Sequence, residues 1–164
     1  VCHGSDAGGV HGFPNLTDNE WRWGGEPETI QMTIMGGRHG MMPAWGQLGE
    51  SGISNVAAYV LTDLAGRKLP EDAKADIAAG KEVFTANCTA CHGPEGKGMP
   101  AMGAPNLTAP SAFIYGSSFA QLKQTIRYGR QGIMPAQAEF LGKDRVHILA
   151  AYVYSLSHQN QAAE

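Results

Sequence analysis

The 164-residue sequence is short of charge: Asp, Glu, Lys and Arg make up 16% of it, against about 25% in ordinary globular domains. Twelve basic and fifteen acidic side chains sum to −3. A chain without basic excess lacks the electrostatic footprint of nonspecific nucleic-acid binding, so no nucleic-acid partner is expected. Long apolar runs are missing too. The longest, residues 148–154, falls far short of the roughly 20 residues that span a bilayer. No charged segment leading into an apolar one marks a secretory leader, so a targeting signal or membrane anchor is expected to lie outside this sequence. No strand pattern competes with helix. Cysteine is scarce and odd in number: three cannot all pair, and the leftover thiol needs another role. What the sequence does have is glycine and proline, 22 and 9 residues, enough for a loop-rich chain and too few for a disordered one.

It also repeats itself. Val1-Cys2-His3-Gly4 matches Ala90-Cys91-His92-Gly93, and Pro14-Asn15-Leu16-Thr17 matches Pro105-Asn106-Leu107-Thr108. Gly37-Arg38-His39-Gly40-Met41-Met42-Pro43-Ala44 matches Gly129-Arg130-Gln131-Gly132-Ile133-Met134-Pro135-Ala136, and Ala57-Ala58-Tyr59-Val60 matches Ala150-Ala151-Tyr152-Val153. Four landmarks in the same order indicate two copies of one fold. The polar, proline-bearing stretch 65–75 reads as a linker, which predicts a first domain over 1–64 and a second over 76–164. Helices are predicted from Pro27 through Ile30 and Ile34, over 53–64, from an Asp76 cap to Cys88, from a Ser118 cap through Leu122 and Ile126, and from Asp144 through Val146, Leu149, Val153 and Leu156. The expected class is all-α, in two small tandem domains, each with too little apolar side chain for a large core and in need of a staple such as a cofactor.

Cys88-Thr89-Ala90-Cys91-His92 is the C-x-x-C-H run of c-type haem attachment. Two thiols one helical turn apart reach the two vinyl groups of one porphyrin, and the adjacent imidazole then lies beneath the iron. The competing readings are a redox C-x-x-C or half a zinc site, but no βαβ pattern and no second cysteine pair support either. Cys2 and His3 align with Cys91 and His92, so the partner of Cys2 would fall two residues before Val1. The first domain is therefore expected to be N-terminally truncated, without its first haem cysteine and N-terminal helix. Two haems c are the expected cofactors.

A six-coordinate haem needs a second axial ligand, and a thioether raises the reduction potential relative to a second imidazole. Met134 and Met42 recur before a proline at the same place in each copy, so the expected pairs are His3 with Met42 and His92 with Met134. Met32, Met35, Met99 and Met102 lack that double match and read as packing. His11 or His39 would make a bis-His site in the first copy, but the second copy has no matching histidine, which favours surface or haem-edge roles. His147 and His158 are expected to be solvated. The Pro14 and Pro105 carbonyls are placed to accept an imidazole Nδ1–H. Arg38 and Arg130 read either as propionate partners or as exposed helix-end charges. Residues 1–64 carry −5 and residues 65–164 carry +2, which either steers a basic donor toward the first domain or marks a solvated acidic surface.

With these residues in place, the chain resembles the dihaem subunit, CcoP or FixP, of cbb3-type cytochrome c oxidases. Double C-x-x-C-H plus Met marks any tandem class I cytochrome c. The segment Asn15-Leu16-Thr17-Asp18-Asn19-Glu20-Trp21-Arg22-Trp23-Gly24-Gly25, followed by Met42-Pro43-Ala44-Trp45-Gly46, is similar to this subunit in particular. The resemblance implies class I cytochrome c domains facing the periplasm beside the bacterial inner membrane, anchored through a missing N-terminal portion. It implies electrons arriving from a soluble cytochrome c and passing to a monohaem subunit and the catalytic subunit. The axial assignment points independently to electron transfer, because a haem with both axial positions filled by protein offers no open site for substrate. The rivals are a freestanding soluble dihaem shuttle and, from another class, a dihaem peroxidase or gas sensor in which one Met is displaced.

Overall fold

The computed structural model describes residues 2–159. In chain order its elements are α1 (Pro27–Gly36), β1 (Arg38–Met42), α2 (Gly49–Tyr59), α3 (Ile77–Asn87), the single turn α4 (Thr89–His92), α5 (Phe119–Tyr128), β2 (Arg130–Met134) and α6 (Ala138–Gln159). Local chemistry accounts for most helix ends. Pro27 opens α1, where its missing N–H would be unpaired anyway, and Ile30 and Ile34 are buried from the same helix face. The Asp76 carboxylate accepts the Ala79 N–H at the start of α3. Ser118 and Gln121 form a reciprocal capping box on α5, satisfying two N–H groups that the helix leaves over. Two boundaries differ from expectation. The helix expected over 53–64 begins at Gly49 and widens into a π turn over Val60–Leu64. α6 begins at Ala138 rather than Asp144 and is broken at Gly142, where φ is 71° and ψ is 164°.

The all-α expectation is corrected by β1 and β2, a two-stranded antiparallel ribbon in which Arg38 faces Met134, Gly40 faces Gly132 and Met42 faces Arg130. Each strand is the same segment of one repeat, so the ribbon pairs the two copies about Gly40 and Gly132. Gly37 and Gly129 precede the strands with φ of 69° and 68°. A Cβ at Gly37 would lie 2.3 Å from the Met134 carbonyl oxygen, and one at Gly129 would lie 2.3 Å from that of Met42. Only glycine tolerates both that backbone region and that approach.

Past the ribbon, each copy's second half packs on the other copy. One core cluster joins Ile53, Val56, Ala57 and Tyr59 of α2 to Phe84 of α3, Leu107, and Leu122 and Ile126 of α5. The other joins Ile30 and Ile34 of α1 to Val146, Ala150 and Val153 of α6. α2 and α3 meet so closely that a Cβ on buried Gly80 would lie 2.1 Å from the Asn55 carbonyl oxygen. The packing therefore differs from the division expected at 65–75. That stretch joins two helices of one cluster, and neither 1–64 nor 76–164 contains a whole core. Residues 42–128 form one contiguous packed unit, nested between the two parts, 2–36 and 134–159, of the other.

Candidate functional site

Cys88 caps the end of α3, and the single turn α4 carries Cys91 and His92 directly after it. His92 is buried, 8% exposed. Its Nδ1 donates to the Pro105 carbonyl at 3.2 Å, so the proton sits on Nδ1 and Nε2 keeps its lone pair. Burial pushes the His92 imidazole below its ordinary range; the Pro105 hydrogen bond opposes this, and the charge of Arg22 reinforces it. The result is the neutral imidazole that metal ligation requires. Burial, and then neighbouring Cys91, push the Cys88 thiol up to about 11. A thiol held protonated is the opposite of the lowered thiolate of a dithiol redox motif. Among the described residues, no three His, Cys, Asp or Glu side chains gather in a cluster that could hold a metal ion.

The first copy rebuilds the same geometry. His3 Nδ1 donates to the Pro14 carbonyl at 2.8 Å, and its ring meets Phe13 edge-on. Cys2 is exposed. In both copies the loop after the proline is fixed by an Asn side chain: Asn15 Oδ1 accepts the Thr17 N–H at 2.8 Å, and Asn106 Oδ1 accepts that of Thr108 at 3.0 Å.

Each methionine packs in a cluster built largely from the other copy or bridging to it. Met42 packs against the cluster that includes Cys88, Leu107 and Phe113. Met134 packs against the one that includes Leu16, Trp21 and Ile30. Met42 thus shares a cluster with Cys88 of the second copy, and Met134 one with Leu16 and Trp21 of the first, because the ribbon hands each strand end to the other unit. Arg38 stays with its own copy. Its Nε donates to Thr33 Oγ1 at 2.9 Å and its guanidinium lies 5.0 Å from the Trp23 ring centre. Arg130 does the same with Thr125 and Tyr115, at 3.0 Å and 4.4 Å. Each arginine also faces the incoming Met across the ribbon.

His39 alternates with Met42 along β1, so it lies on the opposite face of the ribbon. There it accepts a hydrogen bond from Gln131 Nε2 at 2.9 Å. His11 meets Tyr115 edge-on, and His147 bonds to Gln31 at 3.3 Å. Met32 and Met102, expected as packing, are exposed instead. Three contacts between the copies were not anticipated: Arg22 Nη2 donates to the Ala112 carbonyl, Asn106 Nδ2 donates to Glu20, and Trp23 lies over Gly103. The one signal for them is the single charge in Trp21-Arg22-Trp23, an otherwise aromatic run.

The donor set fits a c-type haem: two thiols on adjoining turns, an imidazole with its tautomer fixed, and a thioether at the end of a strand. The profile of the family described as cytochrome c oxidase, cbb3-type, subunit III matches residues 1–60 and 75–153. The cbb3-type cytochrome c oxidase subunit FixP of Bradyrhizobium sp. (strain ORS 278) is 45% identical over 95% of this chain and 56% of its own length. Subunit CcoP of Rubrivivax gelatinosus is 45% identical over 99% of this chain and 52% of its own. That of Cereibacter sphaeroides is 38% identical over 94% and 56%. The chain spans about half the length of the relatives it matches. Among the described residues, no helix is long and apolar enough to cross a membrane.

Proposed function

Since this chain belongs to the family of subunit III of cbb3-type cytochrome c oxidases, we propose that it is an electron-transfer segment of such an oxidase. It holds two haems c and carries electrons from a soluble periplasmic cytochrome c toward the monohaem and catalytic subunits, on the periplasmic side of the inner membrane. The single observation that supports this reading is the recurrence of one donor set, histidine on a proline carbonyl plus a crossing methionine, in both packed units. We assign His92 with Met42 to one iron and His3 with Met134 to the other. Cys88 and Cys91 attach the first haem, and Cys2 contributes to the second.

When bound, each haem supplies a one-electron exchange between ferric and ferrous iron. The residues do the rest. The Pro14 and Pro105 carbonyls hold the imidazole Nδ1–H groups, leaving each Nε2 free to ligate a haem iron, and would raise the basicity of the rings as ligands. Met42 and Met134 would supply thioether ligands to a bound haem, which would raise its potential and leave no open position for substrate, so the chain would carry out no bond chemistry of its own. Arg38 and Arg130, each held by a threonine and an aromatic ring, add a fixed positive charge near each site.

Intact mass of the full-length protein tests the haem count. The pairing is tested in a Cys88→Ala/Cys91→Ala background that keeps only the His3 haem. There Met134→Ala is expected to create carbon monoxide binding and lower the potential, while Met42→Ala leaves both unchanged. The opposite result restores the pairing by sequence order. Carbon monoxide binding in the unmodified protein would favour a haem enzyme or sensor.

A further inference from the structure

The histidine of the second copy is attended by a charge from the first. Arg22 reaches across the junction, and its Nη2 donates to the Ala112 carbonyl at 3.0 Å. It lines a small cavity with Glu20 from its own copy and Lys97, itself paired with Glu95, Pro105, Asn106 and Ala112 from the other. Pro105 is the residue whose carbonyl holds the His92 ring. Arg22 is partly buried, and this desolvation pulls its guanidinium below the ordinary value. An arginine stays charged in a protein all the same. Among the described residues no carboxylate lies within ion-pairing distance of it; the ion pairs there are Lys97 with Glu95, and Lys123 and Arg127 with Glu50. Glu20, which shares the cavity, accepts a hydrogen bond from Asn106 Nδ2 at 3.1 Å.

His3 has no equivalent. The stretch of the second copy that follows its Pro-Asn-Leu-Thr, residues 109–118, contains neither arginine nor lysine. Two sites built from the same donor set therefore differ in this arginine.

We propose that Arg22 makes the two haem sites inequivalent, raising the reduction potential of the haem held by His92 above the value its ligands alone would set. This rests on the haem assignment above. Reduction removes one positive charge from the iron, so a cation held nearby in low dielectric favours the reduced state. The equilibrium it biases is the exchange of one electron between the two irons, one oxidised as the other is reduced, with no proton moved and no bond changed. Arg22 acts here as a positioning residue for charge, and electrons entering at the His3 site run downhill to the His92 site.

The test is a redox titration of the haem-loaded full-length protein, followed by visible absorption, in the wild type, Arg22→Gln and Arg22→Lys. Arg22→Gln is expected to lower one of the two midpoints, shifting the electron equilibrium between the haems about tenfold, or about 59 mV. Arg22→Lys keeps the charge and is expected to retain most of that difference. In the Cys88→Ala/Cys91→Ala background, which keeps only the His3 haem, Arg22→Gln is expected to move nothing. Unchanged midpoints in Arg22→Gln, an equal fall in both variants, or movement of the His3 haem would overturn the role given to Arg22. A wild-type protein without two covalent haems by mass would instead overturn the haem assignment and this inference with it.

Discussion

Burial decides the chemistry of the Cys88 thiol. Pushed up to about 11, it stays protonated at pH 8, and only the thiolate is a nucleophile. In the haem-free chain, Cys88 is therefore expected to react with iodoacetamide more slowly than exposed Cys2, with its rate climbing as the pH approaches 11; mass mapping of the alkylated cysteines reads this out. Faster labelling at Cys88 than at Cys2 would mark a redox dithiol. The sign for stability follows: the folded state holds this proton more tightly than the unfolded chain, so the contribution is complete below about 9 and fades as the pH rises toward 11. The spacing of Cys88, Cys91 and His92 was legible because the chemistry is local to one turn. The place of Arg22 beside that turn was not, since its hydrogen bond to Ala112 depends on how the two copies dock.

Elements divide the same way. Caps such as Asp76 and Ser118 act within three residues, so α3 and α5 start where the sequence says. β1 and β2 are five residues each, with a glycine at the centre, and exist only as each other's partners; no periodicity in either strand announces a ladder with a distant segment. The close crossing predicts that Gly37→Ala and Gly129→Ala each destabilise the haem-loaded protein by about 1–3 kcal/mol in urea titrations. Because a Cβ at Gly129 meets the Met42 carbonyl and one at Gly37 meets that of Met134, each substitution is also expected to weaken the thioether signature of one haem and spare the other. Equal effects on both haems would contradict the crossed arrangement.

For the whole molecule, nesting replaces succession. The exposed chain at Arg67, Lys68 and Lys74 invites trypsin, and cleavage there would release two separate domains if packing followed the repeats. Because α1 packs on α6 and α2 on α3, the two fragments are expected to stay together on gel filtration and part only in denaturant. Fragments that elute separately would refute the exchange. The same packing dilutes the uneven charge. Glu50, counted with the acidic first copy, is paired with Lys123 and Arg127 of the second, so the −5 of residues 1–64 does not describe the surface of one unit.

Features that depend on neighbours along the chain are readable without coordinates: the repeat, the attachment turn, the caps and the methionines set before proline. Which copy each strand and helix packs against came from the three-dimensional arrangement alone. Two copies built from matching landmarks offer nearly the same contacts within a repeat as between repeats, so local pattern cannot distinguish Met42 facing His3 from Met42 facing His92. The choice falls to the antiparallel crossing at Gly40 and Gly132 and to the 65–75 connection, which holds α2 against α3.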